Sequence, residues 1–257
     1  MKKIDLTDLT VLIPIRIDSM VRLENMMAVV EYLYKHFDIN VIVLEADKYN
    51  NGIVQRLLPK AVEYLFIEDY DPVYYRTYYI NKMVERVTTP YVAVWDADVV
   101  FPTGQVVAAM EILRSGEVEV AFPYDGRFMD LSRLIRERYI VEKDIDMLAR
   151  YEHRMSLIYG TNMRGGAFIV NTEKYRKAGM ENELFYGWGP EDWERCERWN
   201  NLDYRTQTIE GVLYHLSHPR NMNGKHNSEQ QKRSLFYELH VTENSSTEEI
   251  KQRLHLD

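Results

Sequence analysis

The chain has 257 residues, a formal net charge of -8 at pH 7 and one cysteine, Cys196. That length suits one sizeable α/β domain, and the acidic balance argues against a nucleic-acid binder, which needs a basic face. A lone thiol excludes an internal disulfide and fits a reducing compartment. No stretch reads as a signal peptide or as an apolar run long enough to span a bilayer, so the expectation is a cytoplasmic protein, with room for a peripheral visit to the inner membrane face.

Leu9 to Ile15 (LTVLIPI) reads as a first buried strand, closed by Pro14 and Arg16. From Ser19 to Phe37 the residues Leu23, Met26, Met27, Val30, Leu33, Tyr34 and Phe37 recur at helical spacing. Asn40 to Leu44 is a second strand, Asn50-Asn51-Gly52 a turn, and Ala61 to Ile67 a third strand. Arg76 to Val87 reads as a helix, stopped by Thr88-Thr89-Pro90, and an apolar strand from Val92 follows. This alternation implies a parallel, doubly wound sheet of the nucleotide-binding kind. Past Phe101-Pro102 the pattern predicts a helix at Val106 to Leu113, a strand at Val118 to Pro123 and a charged surface helix from Leu131 to Arg150. Gly165-Gly166 then precede a strand at Ala167 to Val170 and a helix near Thr172. An acidic helix begins near Pro190, a strand runs from Arg205 to Tyr214, and residues after Ser228 read as helical. No repeat or linker interrupts the chain, so the expectation is one domain over residues 1–227 with a helical tail at 228–257.

Four groups of residues bear chemistry. Asp96 and Asp98 stand one residue apart after the apolar run ending in Trp95, so both can lean toward one point beyond a strand end. Paired carboxylates repel unless a cation or proton sits between them, and hard oxygen ligands suit Mg²⁺ or Mn²⁺. Tyr186-Gly187-Trp188-Gly189-Pro190-Glu191-Asp192 is a glycine-flanked, mobile loop that presents an aromatic face suited to a sugar ring. Pro190 fits the first helical position, and Glu191 and Asp192 then occupy the first turn, where the helix dipole favours negative charge. Tyr214-His215-Leu216-Ser217-His218-Pro219-Arg220 brings imidazoles to a strand end, where one of them can complete a site begun by Asp98. Arg16 and Arg76, with Asp18 and Glu45 at strand ends, sit where a nucleotide is gripped.

In this order and spacing the runs resemble the inverting GT-A fold glycosyltransferases, nearest to the β-1,4-galactosyltransferase catalytic domain and related bacterial polysaccharide transferases. The resemblance covers Thr10 to about Asn227 and rests on Pro14-Ile15-Arg16, Arg76 with Asn81, Asp96-Ala97-Asp98, Gly165-Gly166, Gly187-Trp188-Gly189 with Glu191-Asp192, and the closing histidines. It implies a mostly parallel central sheet flanked by helices in a single domain, with a nucleotide-sugar half at residues 1–100 and an acceptor half at 101–227. It implies Asp98 as main metal ligand with Asp96 near the metal and ribose, and His218, or His215 in its place, as second ligand. Arg16, Asp18, Arg76, Asp96 and Trp188 would contact the donor. Gly187, Trp188, Glu191 and Asp192 would meet the acceptor, with Asp192 as catalytic base. Pro190 and Trp193-Glu194 depart from the animal enzymes, which commonly have glycine and further acids there. The implied reaction is metal-dependent (Mn²⁺ or Mg²⁺) transfer of a hexose or N-acetylhexosamine, UDP-galactose or UDP-N-acetylgalactosamine favoured, to a glycan or glycolipid hydroxyl in surface polysaccharide synthesis. The alternative reading is a metal-dependent carbohydrate-binding protein without transferase activity.

Overall fold

The computed structural model of the chain describes residues 2–219 and 224–254. Arg220, which ends the histidine run, and residues 255–257 of the tail lie outside the described residues. The first half follows the expected alternation: β1 (Ile4–Ile15), α1 (Met20–His36), β2 (Phe37–Asp47), a short α2 (Ile53–Leu57), β3 (Glu63–Glu68), α3 (Arg76–Val84) and β4 (Tyr91–Trp95). β1 is longer than its apolar run because its first residues, alternating exposed and buried, pair with Phe37 to Ile39 before a register shift between Leu6 and Thr10. Ser19 caps α1 by accepting a hydrogen bond from the Arg22 amide.

After β4 the chain turns through Asp96 to Asp98 into β5 (Val99–Val100), α4 (Thr103–Ser115), β6 (Val120–Phe122) and β7 (Phe128–Asp130). The expected helix from Leu131 to Arg150 is two helices, α5 (Arg133–Glu142) and α6 (Ile145–Tyr151). Lys143, with φ of 50°, ends α5, and the Asp144 carboxylate caps α6 through the Asp146 amide. A single-turn helix (Glu152–Arg154) leads to β8 (Ser156–Ile158), β9 (Ala167–Asn171), α7 (Thr172–Lys177) and α8 (Glu191–Asn201). Pro190 is the residue before α8 rather than its first helical residue.

The expected strand from Arg205 to Tyr214 is also two: β10 (Thr206–Thr208) and β11 (Leu213–His215). Gly211, at φ of 123°, breaks the run, and the backbone there exchanges hydrogen bonds with Asp125. Helices α9 (Glu229–Glu243) and α10 (Thr247–Arg253) close the chain. α9 packs along α8: Leu235 is buried, Asn201 donates to the Thr242 carbonyl at 2.6 Å, and the Thr242 hydroxyl donates to Glu194.

The large sheet has the order β10-β6-β9-β4-β1-β2-β3. It is parallel except at β9, which runs against both β4 and β6. A second sheet, β5-β11-β7-β8, was not legible as such, its strands being only two or three residues long. The two sheets join at the acid pair: β4 belongs to the large one, and β5, three residues on, to the small one. The core is one continuous cluster, including the largely β-branched strands Val11 to Ile13, Val41 to Leu44 and Val92 to Val94.

Candidate active site

β1 and β4 are parallel neighbours, so Pro14 to Arg16 and Asp96 to Asp98 emerge side by side at their carboxyl ends and line one cleft. The turn bearing the acids is held from inside. Trp95 is fully buried, and its indole N–H donates to the Val99 carbonyl at 2.9 Å, across the turn. The Asp96 amide donates to the Gly166 carbonyl at 2.7 Å.

From that turn the two carboxylates diverge. Asp98 faces the small sheet. β5 and β11 are antiparallel with Val99 opposite His215, and the Leu216 amide donates to the Asp98 carbonyl at 2.7 Å. This pairing brings together Asp98, His215 and His218, whose ligand atoms all lie within 4.8 Å of one another. His218 Nε2 is 2.9 Å from Asp98 Oδ2, and His215 Nε2 is 4.0 Å from Oδ1. Each imidazole is anchored through its other nitrogen. His215 Nδ1 bonds to Asp130 Oδ1 at 2.6 Å, from the adjacent strand β7, and His218 Nδ1 bonds to the Pro219 carbonyl at 2.8 Å. A carboxylate or carbonyl beside Nδ1 favours a proton there, although Arg22 Nη2 also lies 3.3 Å from His218 Nδ1; His218 Nε2 bonds to Asp98, and on losing its proton it would offer a lone pair inward. Burial alone would raise the Asp98 carboxyl. The His218 hydrogen bond and the charges of His215, His218 and Arg22 more than offset it and hold the group well below the usual carboxylate range. The donor set is two nitrogens and a carboxylate oxygen, which fits Mn²⁺ better than Mg²⁺.

Asp96 stands outside this trio. Its Oδ1 accepts Arg76 Nη2 at 2.7 Å. Arg76 opens α3, and its buried Nη1 has no hydrogen-bond partner among the described residues. Asp192 and Glu191 also act on this guanidinium through their charge, so one arginine links the acid pair to the start of α8. Asp192 Oδ1 accepts Arg195 Nη2 at 2.7 Å, and burial, which would raise this carboxyl, is outweighed by Arg195 and Arg76, which lower it. Its Oδ2 lies against Gly165: a Cβ there would sit 2.5 Å from it. The neighbouring Glu191 is buried, and burial together with the Asp192 charge pushes its carboxyl up to about 8 against the pull of Arg76. The two neighbouring carboxyls are therefore pushed in opposite directions, Asp192 toward its ionised form and Glu191 toward its protonated form.

Trp188 lines the same cleft and is 41% exposed. Its loop, expected to be mobile, is strapped down: Gln231 Nε2 of α9 donates to the Tyr186 carbonyl at 2.6 Å, and the Tyr186 hydroxyl bonds Asp71. Gly187 has φ of 82°, and a Cβ there would meet Val73 and Gln231, so only glycine fits.

Other expected residues hold the frame. Arg16 reaches the cleft wall, but its guanidinium donates to the Ala46 and Asp71 carbonyls and to Asp69, pinning the loop after β3. Asp18 lines the cleft and accepts Arg22 Nε at 3.2 Å. Glu45 is buried, accepts the Tyr64 hydroxyl at 2.6 Å and does not line the cleft. Asn81 clamps the chain at Glu181 and Glu183. Arg22 and Asp130 were missed. Arg22, one turn into α1, has Nη1 3.8 Å from Asp98 Oδ2. The only sequence signal for it is its spacing after the Ser19 cap. Asp130 had none, since β7 was not legible.

Residues 144–222 match the family described as the N-terminal domain of galactosyltransferase. This segment contains Gly165-Gly166, the tryptophan loop, Glu191-Asp192 and both histidines. No curated protein matches the chain in sequence. Among solved structures, glucosyl-3-phosphoglycerate synthase from Mycobacterium tuberculosis, in complex with Mn²⁺, UDP and phosphoglyceric acid, superposes with a TM-score of 0.51 at 12% identity, over 97% of this chain and 79% of that one. The mannosyltransferase PcManGT from Pyrobaculum calidifontis, in complex with GDP-mannose and Mn²⁺, gives 0.57 at 16% identity over 96% and 68%. The catalytic domain of Drosophila β1,4-galactosyltransferase 7, in complex with xylobiose, gives 0.52 at 13% identity over 88% and 77%. At these identities the likeness is one of fold. The chain thus shares the mixed α/β architecture, a mostly parallel central sheet flanked by helices, of these glycosyltransferase structures, and its residues 144–222 are similar to the galactosyltransferase segment.

Proposed function

We propose that this protein is a metal-dependent, inverting UDP-sugar glycosyltransferase that forms a β-glycosidic bond to a hydroxyl of a glycan or glycolipid, in surface polysaccharide synthesis. The observation that carries this reading is the convergence of Asp98, His215 and His218 in a cleft that Arg76 and Trp188 also line. Those three side chains would hold a divalent cation, which when bound supplies positive charge to a departing diphosphate. The solved structures in complex with Mn²⁺ and a nucleotide or nucleotide sugar support the same choice of cofactor and donor class.

The chain's own residues do the rest. Asp192, ionised, accepts the proton of the incoming hydroxyl as that oxygen attacks. Glu191, protonated, can donate a hydrogen bond to a sugar hydroxyl beside it. Arg76 Nη1 offers a further donor for the leaving diphosphate or the donor sugar, and Trp188 offers an apolar face to a sugar ring. A single base with attack opposite the leaving group inverts the anomeric carbon, so an α-linked donor yields a β-glycoside.

A panel of UDP-sugars assayed for Mn²⁺-dependent UDP release tests this. UDP-galactose or UDP-N-acetylgalactosamine is expected to turn over best. Thermal stabilisation by free glycans, with none from UDP and Mn²⁺, would instead favour a carbohydrate-binding protein. Among the described residues no helix is long and apolar enough to cross a membrane; a cytoplasmic site of action beside a membrane-borne acceptor remains part of the proposal.

A further inference from the structure

We propose that Arg195 is the positioning residue of the catalytic base, gripping one oxygen of Asp192 so that the other is presented to the acceptor hydroxyl. This rests on the reading of Asp192 as that base.

Arg195 is 1% exposed and lies one helical turn after Asp192 on α8. Its guanidinium stacks over the Phe168 ring, 4.2 Å from the centroid, and near Trp199 at 5.5 Å. Its two ends hold different carboxylates. Nη2 donates to Asp192 Oδ1 at 2.7 Å, while Nη1 donates to both oxygens of Glu181 at 3.0 and 2.8 Å. Glu181 is itself fixed, with its Oε1 accepting the buried Tyr175 hydroxyl at 2.6 Å and its amide donating to Asn81 Oδ1 at 2.9 Å. The clamp therefore reaches from α3 through Glu181 and α8 to Asp192 Oδ1, the oxygen beside the reacting one.

Folding does not require such an arrangement. A buried ion pair gives back little more than the cost of desolvating it, and apolar residues of similar size often serve stability as well. What the fork does provide is direction. With Oδ1 held, Oδ2 faces the hollow left by the missing side chain of Gly165. Burial raises the Asp192 carboxyl while Arg195 on α8 and Arg76 from α3 lower it, and the charge of Asp192 in turn raises its neighbours Glu191 on α8 and Asp96 in the β4–β5 turn. Tyr124 and the half-buried Cys196 also feel its charge but are neutral at physiological pH. Among these, Arg195 is the cation in direct contact.

The test compares the full-length protein with Asp192→Asn, Arg195→Lys and the paired change Arg195→Met with Glu181→Met, which removes both buried charges together. Thermal stabilisation by UDP with Mn²⁺ checks that each variant is folded. The Asp192 carboxyl is titrated by ¹³C NMR without substrate, its signal identified by its absence in Asp192→Asn, and turnover is measured with UDP-galactose. In the folded paired variant the Asp192 titration should move up by about one to three pH units, as for a carboxylate losing an adjacent arginine. Turnover should fall at least about tenfold, within what a misaligned base costs. Arg195→Lys keeps the charge but not the fork; its titration should stay near wild type while kcat falls and the acceptor KM holds. A folded paired variant with unchanged titration and turnover overturns the proposal. Should the paired variant not fold, wild-type kcat in Arg195→Lys overturns it alone. Wild-type turnover in Asp192→Asn would instead remove Asp192 from the role of base.

Discussion

Removing the Asp98 carboxylate leaves two imidazoles without the group they face at 2.9 and 4.0 Å. Asp98→Ala is therefore expected to abolish Mn²⁺-dependent UDP binding in calorimetry, and unchanged binding would refute the metal assignment. Asp192→Asn should keep that binding and lose roughly 10²–10⁴-fold in turnover, the usual worth of a general base. Glu191 gives a prediction about stability. Its carboxyl is raised to about 8 in the folded protein, above its unfolded value, so the folded state binds the extra proton. The associated stability is fully present below the unfolded pKa and is lost as pH rises through the folded one. Glu191→Gln, which cannot ionise, should therefore melt above wild type at about pH 9 and lose that advantage at about pH 4, where both side chains are neutral; parallel melting curves across that range would contradict the burial and charge argument. At this scale the sequence was informative. Asp96-x-Asp98, Glu191-Asp192 and the histidines, each common alone, were visible through their neighbours and order: the buried strand ending in Trp95, the Gly-Trp-Gly run and the strand before His215. Arg22 and Asp130 were hidden because their roles depend on which strand lies beside which.

Glycines and short strands, more than long elements, bring the side chains together. Gly165 leaves the space that the Asp192 carboxylate occupies. Gly165→Ala should displace that carboxylate and cut turnover as severely as Asp192→Asn, while leaving UDP and Mn²⁺ binding intact; a kinetic comparison of the two variants tests this. The tryptophan loop depends on α9 in the same way. Gln231→Ala removes the hydrogen bond to the Tyr186 carbonyl, and the loosened Trp188 should raise the acceptor KM severalfold with little change in donor affinity. Element boundaries were legible where apolar periodicity was long, as in α1 and β4. They were misread where one composition covered two structures. Leu131 to Arg150 reads as one helical pattern, and the left-handed Lys143 with the Asp144 cap divides it. Arg205 to Tyr214 reads as one strand, yet Gly211 sends its halves into different sheets. That break places His215 opposite Val99 and hence beside Asp98.

The molecule as a whole joins two sheets at one turn. The large, mostly parallel sheet supplies the carboxyl end of β4 and therefore the acid pair. The small sheet supplies His215 and, behind it, Asp130. The helices after Ser228, read from the sequence as a tail, are packed on α8 and brace both the tryptophan loop and Glu194. The central claim is that one cation joins the two sheets at Asp98, His215 and His218. Manganese anomalous scattering from crystals grown with UDP and Mn²⁺ tests it most directly. The account predicts one strong peak within bonding distance of Asp98, His215 Nε2 and His218 Nε2, with the diphosphate on its open side. A peak elsewhere in the fold, or UDP bound with no manganese at these three residues, would contradict it.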